Sequence, residues 1–154
     1  MASYTYGPAL PSTGTIDKDS VRIAKGLSGT VDLQTLCTQN INPYEVLLNK
    51  PNGSSPYRLL DFRGYRHKCV GCSVNTISVD YNSHSLTYQV YVFPNATVSR
   101  SVSVSWVSAS IGSNNQLSVS ILFNHEFTPR TANILLSAGG VSFSITVFQA
   151  AHPD

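Results

Sequence analysis

The chain has 154 residues, of which 12% are charged, and a formal net charge of +2. This small charge argues against non-specific nucleic-acid binding, and no stretch reaches the roughly 18 apolar residues of a membrane helix. The first fifteen residues lack the basic and apolar regions of a secretory signal peptide. We therefore expect neither nucleic acid nor a membrane as a partner, and a protein that stays in the cell that makes it or leaves by lysis.

The first 28 residues contain several residues that disrupt regular structure. Gly7, Pro8 and Pro11 lie among polar residues and two tyrosines, which disfavours a continuous helix or strand. We predict an extended arm over residues 1–28 with one short strand at Ser20–Ala24. Such arms are commonly ordered only against a partner. A mobile tail is the alternative interpretation.

Residues 29–72 predict an irregular docking segment with two short helices. The first helix, Val31–Cys37, places three apolar side chains on one face. The second is expected to begin after Asn42, an N-cap residue, with Pro43 at the first helical position. It is expected to end before Pro51.

Part of this docking segment, SSPYRLLDFRGYRHK, interleaves basic and aromatic residues. Such a pattern is found in nucleic-acid binding proteins, but one short segment in a nearly neutral chain is weak support for that function. Tyrosine and arginine are also favoured contact residues in protein interfaces. We therefore predict docking onto a protein partner through Tyr57, Arg58, Phe62, Arg63, Tyr65 and Arg66.

The sequence changes character over residues 73–149, and residues 150–154 follow as a short tail. Runs of strand-forming residues recur every 8–12 residues and are separated by turn residues, which is typical of an antiparallel β-sandwich. Within the last run, apolar and polar residues alternate from Val141 to Val147, and Gly139-Gly140 supplies a tight turn. The predicted strands are Thr76–Asp80, Leu86–Phe93, Arg100–Val107, Gln116–Phe123, Ala132–Ser137 and Val141–Phe148.

No residue pattern indicates catalysis or a cofactor, so we predict a non-enzymatic protein. The chain lacks the G-x-S-x-G nucleophile motif and a phosphate-binding glycine loop. His67, Cys69 and Cys72, with Cys37 upstream, could form a four-ligand zinc site. One C-x-x-C motif is a weak signal for zinc or redox chemistry, and free thiols are the favoured interpretation.

Aromatic residues of the second predicted strand are candidates for sugar stacking. If Tyr88, Val90 and Val92 face the core, the alternation directs Tyr91 and Phe93 outward. Sugar sites combine aromatic platforms with a few polar groups. The same pair could equally dock another subunit.

Residues 75–149 resemble the BACON domain, an immunoglobulin-like module associated with Bacteroidetes and with carbohydrate binding. The resemblance is carried by "SWVSAS" around Trp106, "LSVSILFN" ending at Asn124, "RTANILLSAGG" beginning at Arg130, and "SFSITVFQ" ending at Gln149. It implies an all-β, immunoglobulin-like sandwich. From the residues themselves, we expect Trp106 to fill the core, Asn124 to satisfy backbone groups in a loop, and Arg130 to bridge that loop.

The N-terminal half is similar to modules of virion proteins from bacteriophages and prophages of gut Bacteroidetes. The resemblance is carried by "LCTQNINPYEVLLNKP" and "YRLLDFRGYRH". It implies a place in a viral particle rather than a reaction. The matching residues are Leu36, Cys37, Thr38, Ile41, Asn42, Tyr44, Lys50, Pro51, Asp61, Phe62, Arg63 and Tyr65.

The leading hypothesis is therefore a bacteriophage virion structural protein, located in the virion as a tail, collar or capsid-decoration component. Its partners would be other virion proteins in a symmetric assembly. The alternative is a carbohydrate-binding module whose partners are glycans.

Overall fold

The computed structural model describes residues 2–12, 16–28, 31–45 and 50–154, apart from the side chain of Leu60. The chain divides into two compact units. The sandwich unit joins the N-terminal strand, up to Thr5, to Val70–Asp154. The N-terminal unit is Tyr6–Cys69, so the domain boundary predicted at residue 28 falls inside it.

The sandwich unit is built from two β-sheets. In the strands Gln116–Ile121 and Val141–Gln149, every other residue is buried between the sheets, while serine and threonine residues occupy many outward positions. The five-stranded sheet has the order β1 (Ser3–Tyr6), β2 (Cys69–Cys72), β4 (His84–Phe93), β7 (Gln116–Ile121), β6 (Val107–Ile111). The four-stranded sheet has the order β3 (Thr76–Val79), β9 (Val141–Gln149), β8 (Arg130–Ala138), β5 (Ser99–Val102).

This architecture confirms the predicted immunoglobulin-like sandwich. Val141, Phe143, Ile145 and Val147 are buried, as their alternation predicts. The sheet is not wholly antiparallel, because β3 pairs parallel with β9, with Ile77 opposite Val147.

One predicted strand was wrong in extent. The run Arg100–Val107 is not continuous, because β5 and β6 belong to different sheets and residues 103–106 connect them. Strands β1 and β2 were not predicted.

Strand β1 lies close to β2 at Gly71. A Cβ atom at Gly71 would lie 2.2 Å from the backbone oxygen of Ser3 and 2.5 Å from Cδ1 of Tyr4. The Tyr4 ring in turn contacts the Tyr91 ring, with centroids 5.7 Å apart. The absence of a side chain at position 71 therefore allows β1 to occupy the edge of the sheet.

In the N-terminal unit, residues 18–24 form a helix, α1 (Lys18–Ala24), and not the predicted strand. The side chain of Asp17 caps this helix by accepting a 2.7 Å hydrogen bond from the backbone N–H of Ser20. Helix α1 buries Val21 completely. Local capping thus outweighs the strand propensity of Val21 and Ile23.

The first predicted helix is confirmed, with shifted ends, as α2 (Leu33–Thr38), which is capped by Asp32 and buries Leu36. The start of the second predicted helix is a turn, in which Asn42 Oδ1 accepts a hydrogen bond from the backbone N–H of Tyr44 at 3.0 Å. Its continuation through residues 46–49 lies outside the described residues.

The N-terminal unit has its own hydrophobic core. Buried polar groups accompany it. Tyr65 Oη lies 2.6 Å from the backbone N of Asn42, whose N–H donates to it, and 3.1 Å from Nδ1 of His67. Burial lowers the pKa of His67 to about 4, with nearby Lys25 and Lys68 adding to the effect. The core consists of Leu10, Ile16, Val21, Leu36, Cys37, Phe62 and Tyr65.

Candidate ligand-binding end of the sandwich

One end of the sandwich unit carries a loop that is held by a single buried side chain. Asn124 is fully buried and its Nδ2 donates to the carbonyl oxygens of Thr128 and Ala150 at 3.0 and 2.9 Å. Its Oδ1 accepts from the backbone N–H of Glu126 at 3.1 Å. The loop between β7 and β8 is therefore tied to the C-terminal segment, as expected for Asn124.

Arg130 and Gln149 connect the ends of several strands behind this loop. Arg130 Nε donates to Gln149 Oε1 at 2.9 Å, and Arg130 Nη2 donates to the carbonyl oxygen of Leu122 at 2.8 Å. The guanidinium carbon lies 4.3 Å above the Trp106 ring centroid. The predicted bridging role of Arg130 is confirmed. Trp106 is half-buried, packing against the core on one side and under Arg130 on the other.

Five aromatic rings pack together at this end, and we call them the aromatic end cluster. His152 contacts three of the other rings, with centroids 4.9 to 6.1 Å apart. Phe123 also contacts His125 at 4.6 Å and Tyr81 at 5.6 Å. Phe127 is 66% exposed, although it is a large apolar side chain. The cluster consists of Tyr81, Phe123, His125, Phe127 and His152.

Polar residues accompany the aromatic end cluster in its two loops. His125 and Glu126 are exposed on one of these loops. In the turn between β3 and β4, which carries Tyr81 of the cluster, Asp80 Oδ1 lies 2.7 Å from Nε2 of His84. The same oxygen accepts a hydrogen bond from the backbone N–H of Asn82 at 2.9 Å. These hydrogen bonds, chiefly that of His84, hold the pKa of Asp80 below its usual value. An exposed aromatic ring with hydrogen-bonding groups beside it is the arrangement that sugar recognition requires.

Tyr91 and Phe93, the aromatic pair proposed from the sequence for glycan contact, lie elsewhere. They are on β4, and both are half-buried. Tyr91 is partly covered by Tyr4 of β1, whose strand was not predicted. The pair therefore offers less open ring surface than Phe127 does.

The predicted partner-docking residues lie in different environments within the N-terminal unit. Phe62 and Tyr65 are fully buried in its core, so their assignment as docking residues is corrected: their rings stabilise the unit. Arg66 pairs with the buried Glu45, Nη2 to Oε1 at 2.7 Å, and stacks over Tyr6.

The remaining predicted docking residues are more accessible. Arg58 and Arg63 are exposed, and Tyr57 is half-buried against the core of the N-terminal unit. These two arginines are the exposed members of the predicted set.

The cysteines considered for zinc lie in different hydrophobic environments. Cys37 belongs to the core of the N-terminal unit, and Cys72 belongs to the core of the sandwich. Cys69 Sγ lies 3.6 Å from Oδ1 of Asn42. Within the described ranges, no three histidine, cysteine, aspartate or glutamate side chains are arranged to hold a metal ion.

Sequence reasoning did not single out Phe127 or His152. The feature that could have indicated Phe127 is a phenylalanine in a polar loop that ends at a proline and lies between two predicted strands. A large apolar residue in such a loop is not part of the inward-facing side of a strand, so exposure could have been expected.

Comparison with known proteins identifies one domain. Residues 76–150 match the BACON family model, whose description reads "Putative binding domain, N-terminal". Among curated proteins, none matches the chain. In the described part of the chain, no helix has the length and hydropathy needed to cross a membrane.

Solved structures with similarity to this chain include a Bacteroides ovatus GH5 xyloglucanase in complex with a XXXG heptasaccharide, with 21% identity and a TM-score of 0.46, covering 54% of this chain and 19% of the enzyme. An endo-fucoidan hydrolase of glycoside hydrolase family 107 has 13% identity and a TM-score of 0.42, covering 53% and 13%. Titin M4 has 13% identity and a TM-score of 0.39, covering 54% and 95%. The chain thus spans about a fifth of the xyloglucanase and less of the fucoidan hydrolase.

Proposed function

We propose that the BACON-type domain at residues 76–150 is a non-enzymatic carbohydrate-binding module that uses the aromatic end cluster. The observation that carries the proposal is the Phe127 ring, which is 66% exposed on a loop fixed by the buried Asn124. The C–H face of a pyranose ring is apolar and stacks on such a surface, while its hydroxyl groups need polar partners.

The hydrogen bonds that hold the loop support this proposal. A binding loop that is already ordered loses little conformational freedom when the ligand binds. Besides the Asn124 hydrogen bonds, the backbone N–H of His152 donates to the carbonyl oxygen of Glu126 at 2.9 Å. Both neighbours of Glu126 in the chain, His125 and Phe127, are therefore presented from a fixed backbone.

The proposal is tested by a glycan array followed by titration calorimetry with a glycan that binds. Phe127→Ala removes the exposed ring, so the dissociation constant should rise about tenfold or more. Because Phe127 is largely outside the core, the melting temperature should change little.

Leu135→Ala is the matched control. Leu135 is also a large exposed apolar residue, at 41% exposure, but it lies on the outer face of the four-stranded sheet. Its removal should leave glycan affinity unchanged. Absence of any glycan ligand for the wild-type chain, or equal affinity for the wild type and Phe127→Ala, would contradict the proposal.

We propose, as a second function, that the chain is a virion structural protein that docks through its N-terminal unit. A charge asymmetry favours this. The N-terminal unit holds eight of the ten basic residues and five of the eight acidic ones. Of these basic residues, Arg58 and Arg63 are exposed, and Arg58 follows the half-buried Tyr57 in the sequence. Exposed arginines favour a protein partner of opposite charge.

Particle incorporation tests this second function. Arg58→Glu combined with Arg63→Glu should reduce the amount of the chain in purified particles at least several-fold. Arg100→Glu, an exposed position on β5 of the sandwich, is the control and should have no effect. Equal incorporation of both variants would contradict docking through these arginines.

A further inference from the structure

The edge strand β6 has a sequence that reads nearly the same in both directions. From Val107 to Ile111 the residues are Val-Ser-Ala-Ser-Ile, centred on Ala109. An antiparallel pair of two such strands places Val107 opposite Ile111, Ser108 opposite Ser110, and Ala109 opposite itself. Like therefore meets like: aliphatic with aliphatic and hydroxyl with hydroxyl.

The backbone of β6 pairs with a strand on one side and has no strand partner among the described residues on the other. The paired strand is β7, and β6 is the last strand of the five-stranded sheet. The backbone N–H of Leu122 donates to the Trp106 oxygen, and that of Gly112 donates to the Gln116 oxygen, both at 2.9 Å. Even-numbered residues of β6 therefore direct their backbone groups toward β7.

Odd-numbered residues of β6 consequently direct their N–H and C=O groups to the edge that has no strand partner. These residues are Val107, which is 3% exposed, and Ala109 and Ile111, which are half-buried. No hydrogen bond among the described residues outside the β6–β7 ladder involves these groups. In the palindromic register these same odd-numbered residues face one another, so each facing pair can exchange two backbone hydrogen bonds.

The edge also lacks two of the features that usually prevent strand pairing, a charged residue and a proline. Charged residues, prolines and bulges protect most natural edge strands. Strand β5, the edge of the other sheet, carries Arg100, but β6 contains no charged residue and no proline. Its flanking residues suit pairing as well: Trp106 would lie opposite Gly112 of the second copy, which has no side chain to oppose the indole.

We propose that β6 is a self-association site, at which two copies of this chain pair antiparallel through Val107–Ile111 about a twofold axis. The pairing joins the two five-stranded sheets into one continuous sheet. The outward hydroxyl rows continue across it, since Ser108 lies opposite Ser120 of its own β7 and opposite Ser110 of the second copy. The two Phe127-bearing ends then point in opposite directions.

A five-residue contact is short compared with the typical specific interface, which buries roughly 1,600 Å². The dimer is therefore weak and concentration-dependent. Sedimentation equilibrium of the full chain, extended to millimolar concentration, should show a monomer–dimer equilibrium without higher species. A second observation must then locate the interface, because a dimer alone can form through other surfaces.

Two double substitutions with different charges locate the dimer interface. Ser108→Lys with Ser110→Lys places like charges opposite each other across the axis, and should weaken the dimer about tenfold or more. Ser108→Lys with Ser110→Glu places each lysine opposite a glutamate of the second copy and should restore dimerisation to within a few-fold of wild type. Both designs alter the same two exposed side chains, so they differ only in the charge placed at position 110.

Ser142→Lys with Ser144→Lys is the control, because these exposed serines lie on β9 of the other sheet. It adds the same charge and should leave the dimer unchanged. The proposal is overturned if the wild-type chain stays monomeric at millimolar concentration. It is also overturned if both Ser108/Ser110 designs dimerise equally, or if the control weakens the dimer as much as the like-charge design does.

Discussion

Asn124 determines whether the loop that carries Phe127 keeps its conformation. The side chain makes three hydrogen bonds to backbone groups of Thr128, Ala150 and Glu126, and it is fully buried. Such groups cost free energy when they lose their partners inside a protein, because no water replaces them. The residue thus acts on the candidate site by positioning the loop.

Asn124→Ala should therefore lower the free energy of unfolding of the sandwich by about 3 kcal/mol. Urea denaturation followed by Trp106 fluorescence measures this. Asn82→Ala is the control: its exposed side chain bonds to Asp80, and its loss should cost about 0.5 kcal/mol or less. Equal effects of the two substitutions would show that Asn124 does not hold the loop.

Individual residues of this end were only partly predictable. Asn124 and Arg130 were expected to serve the loop, because amide and guanidinium groups in a loop usually bond to backbone. Phe127 and His152 were not predicted as a pair. They are distant in the sequence, and their contact depends on how the β7–β8 loop and the C-terminal segment meet.

At the scale of elements, β1 depends on one glycine. Gly71 allows Ser3 and Tyr4 to approach within a distance that a Cβ atom would block. Gly71→Ala should therefore displace β1 and increase hydrogen exchange at residues 3–5. Mass spectrometry of the exchanged protein measures it.

Gly112→Ala is the matched control for this prediction. The nearest atom to a Cβ at Gly112 is the backbone oxygen of Gln116, 3.9 Å away, which is an ordinary contact. Exchange at residues 3–5 should not change in this variant. Unchanged exchange in Gly71→Ala as well would mean that β1 does not pack against position 71.

Strands with one buried face were predictable, and those without this pattern were not. Strands β7 and β9 alternate between apolar and hydroxyl side chains, and the alternation matches their buried and exposed faces. Strand β2 is buried at every position, so it has no alternation to detect. Helix α1 was mistaken for a strand because Val21 and Ile23 are β-branched, while the decisive cap at Asp17 is a local hydrogen bond.

For the whole molecule, the structure predicts that acid destabilises the N-terminal unit before the sandwich. His67 is buried, and its pKa is lowered from 6.5 to about 4. Between these values the unfolded chain binds a proton that the folded unit does not, so stability is lost as the pH falls from 6.5 to 4. The full loss corresponds to about 3 kcal/mol.

This acid effect is measured by urea titration at pH 7 and pH 4.5 with residue-resolved NMR. Signals of residues 31–45 should lose their native positions at lower urea in acid, and His67→Gln should reduce the difference. Backbone N–H groups at the helix caps are the chief cause of the lowered pKa values of Asp17 and Asp32. These two residues therefore contribute to the loss of stability only below pH 3.8. A pH dependence that is unchanged in His67→Gln would assign the effect to other groups.

We propose that the sandwich binds carbohydrate at the end that carries Phe127. An NMR titration of the full chain with a glycan that binds, recording amide chemical shifts, tests this proposal. We expect the largest changes at residues 81–82, 123–127 and 152. Changes centred on Tyr91 and Phe93 instead, or no changes in the sandwich unit, would contradict it.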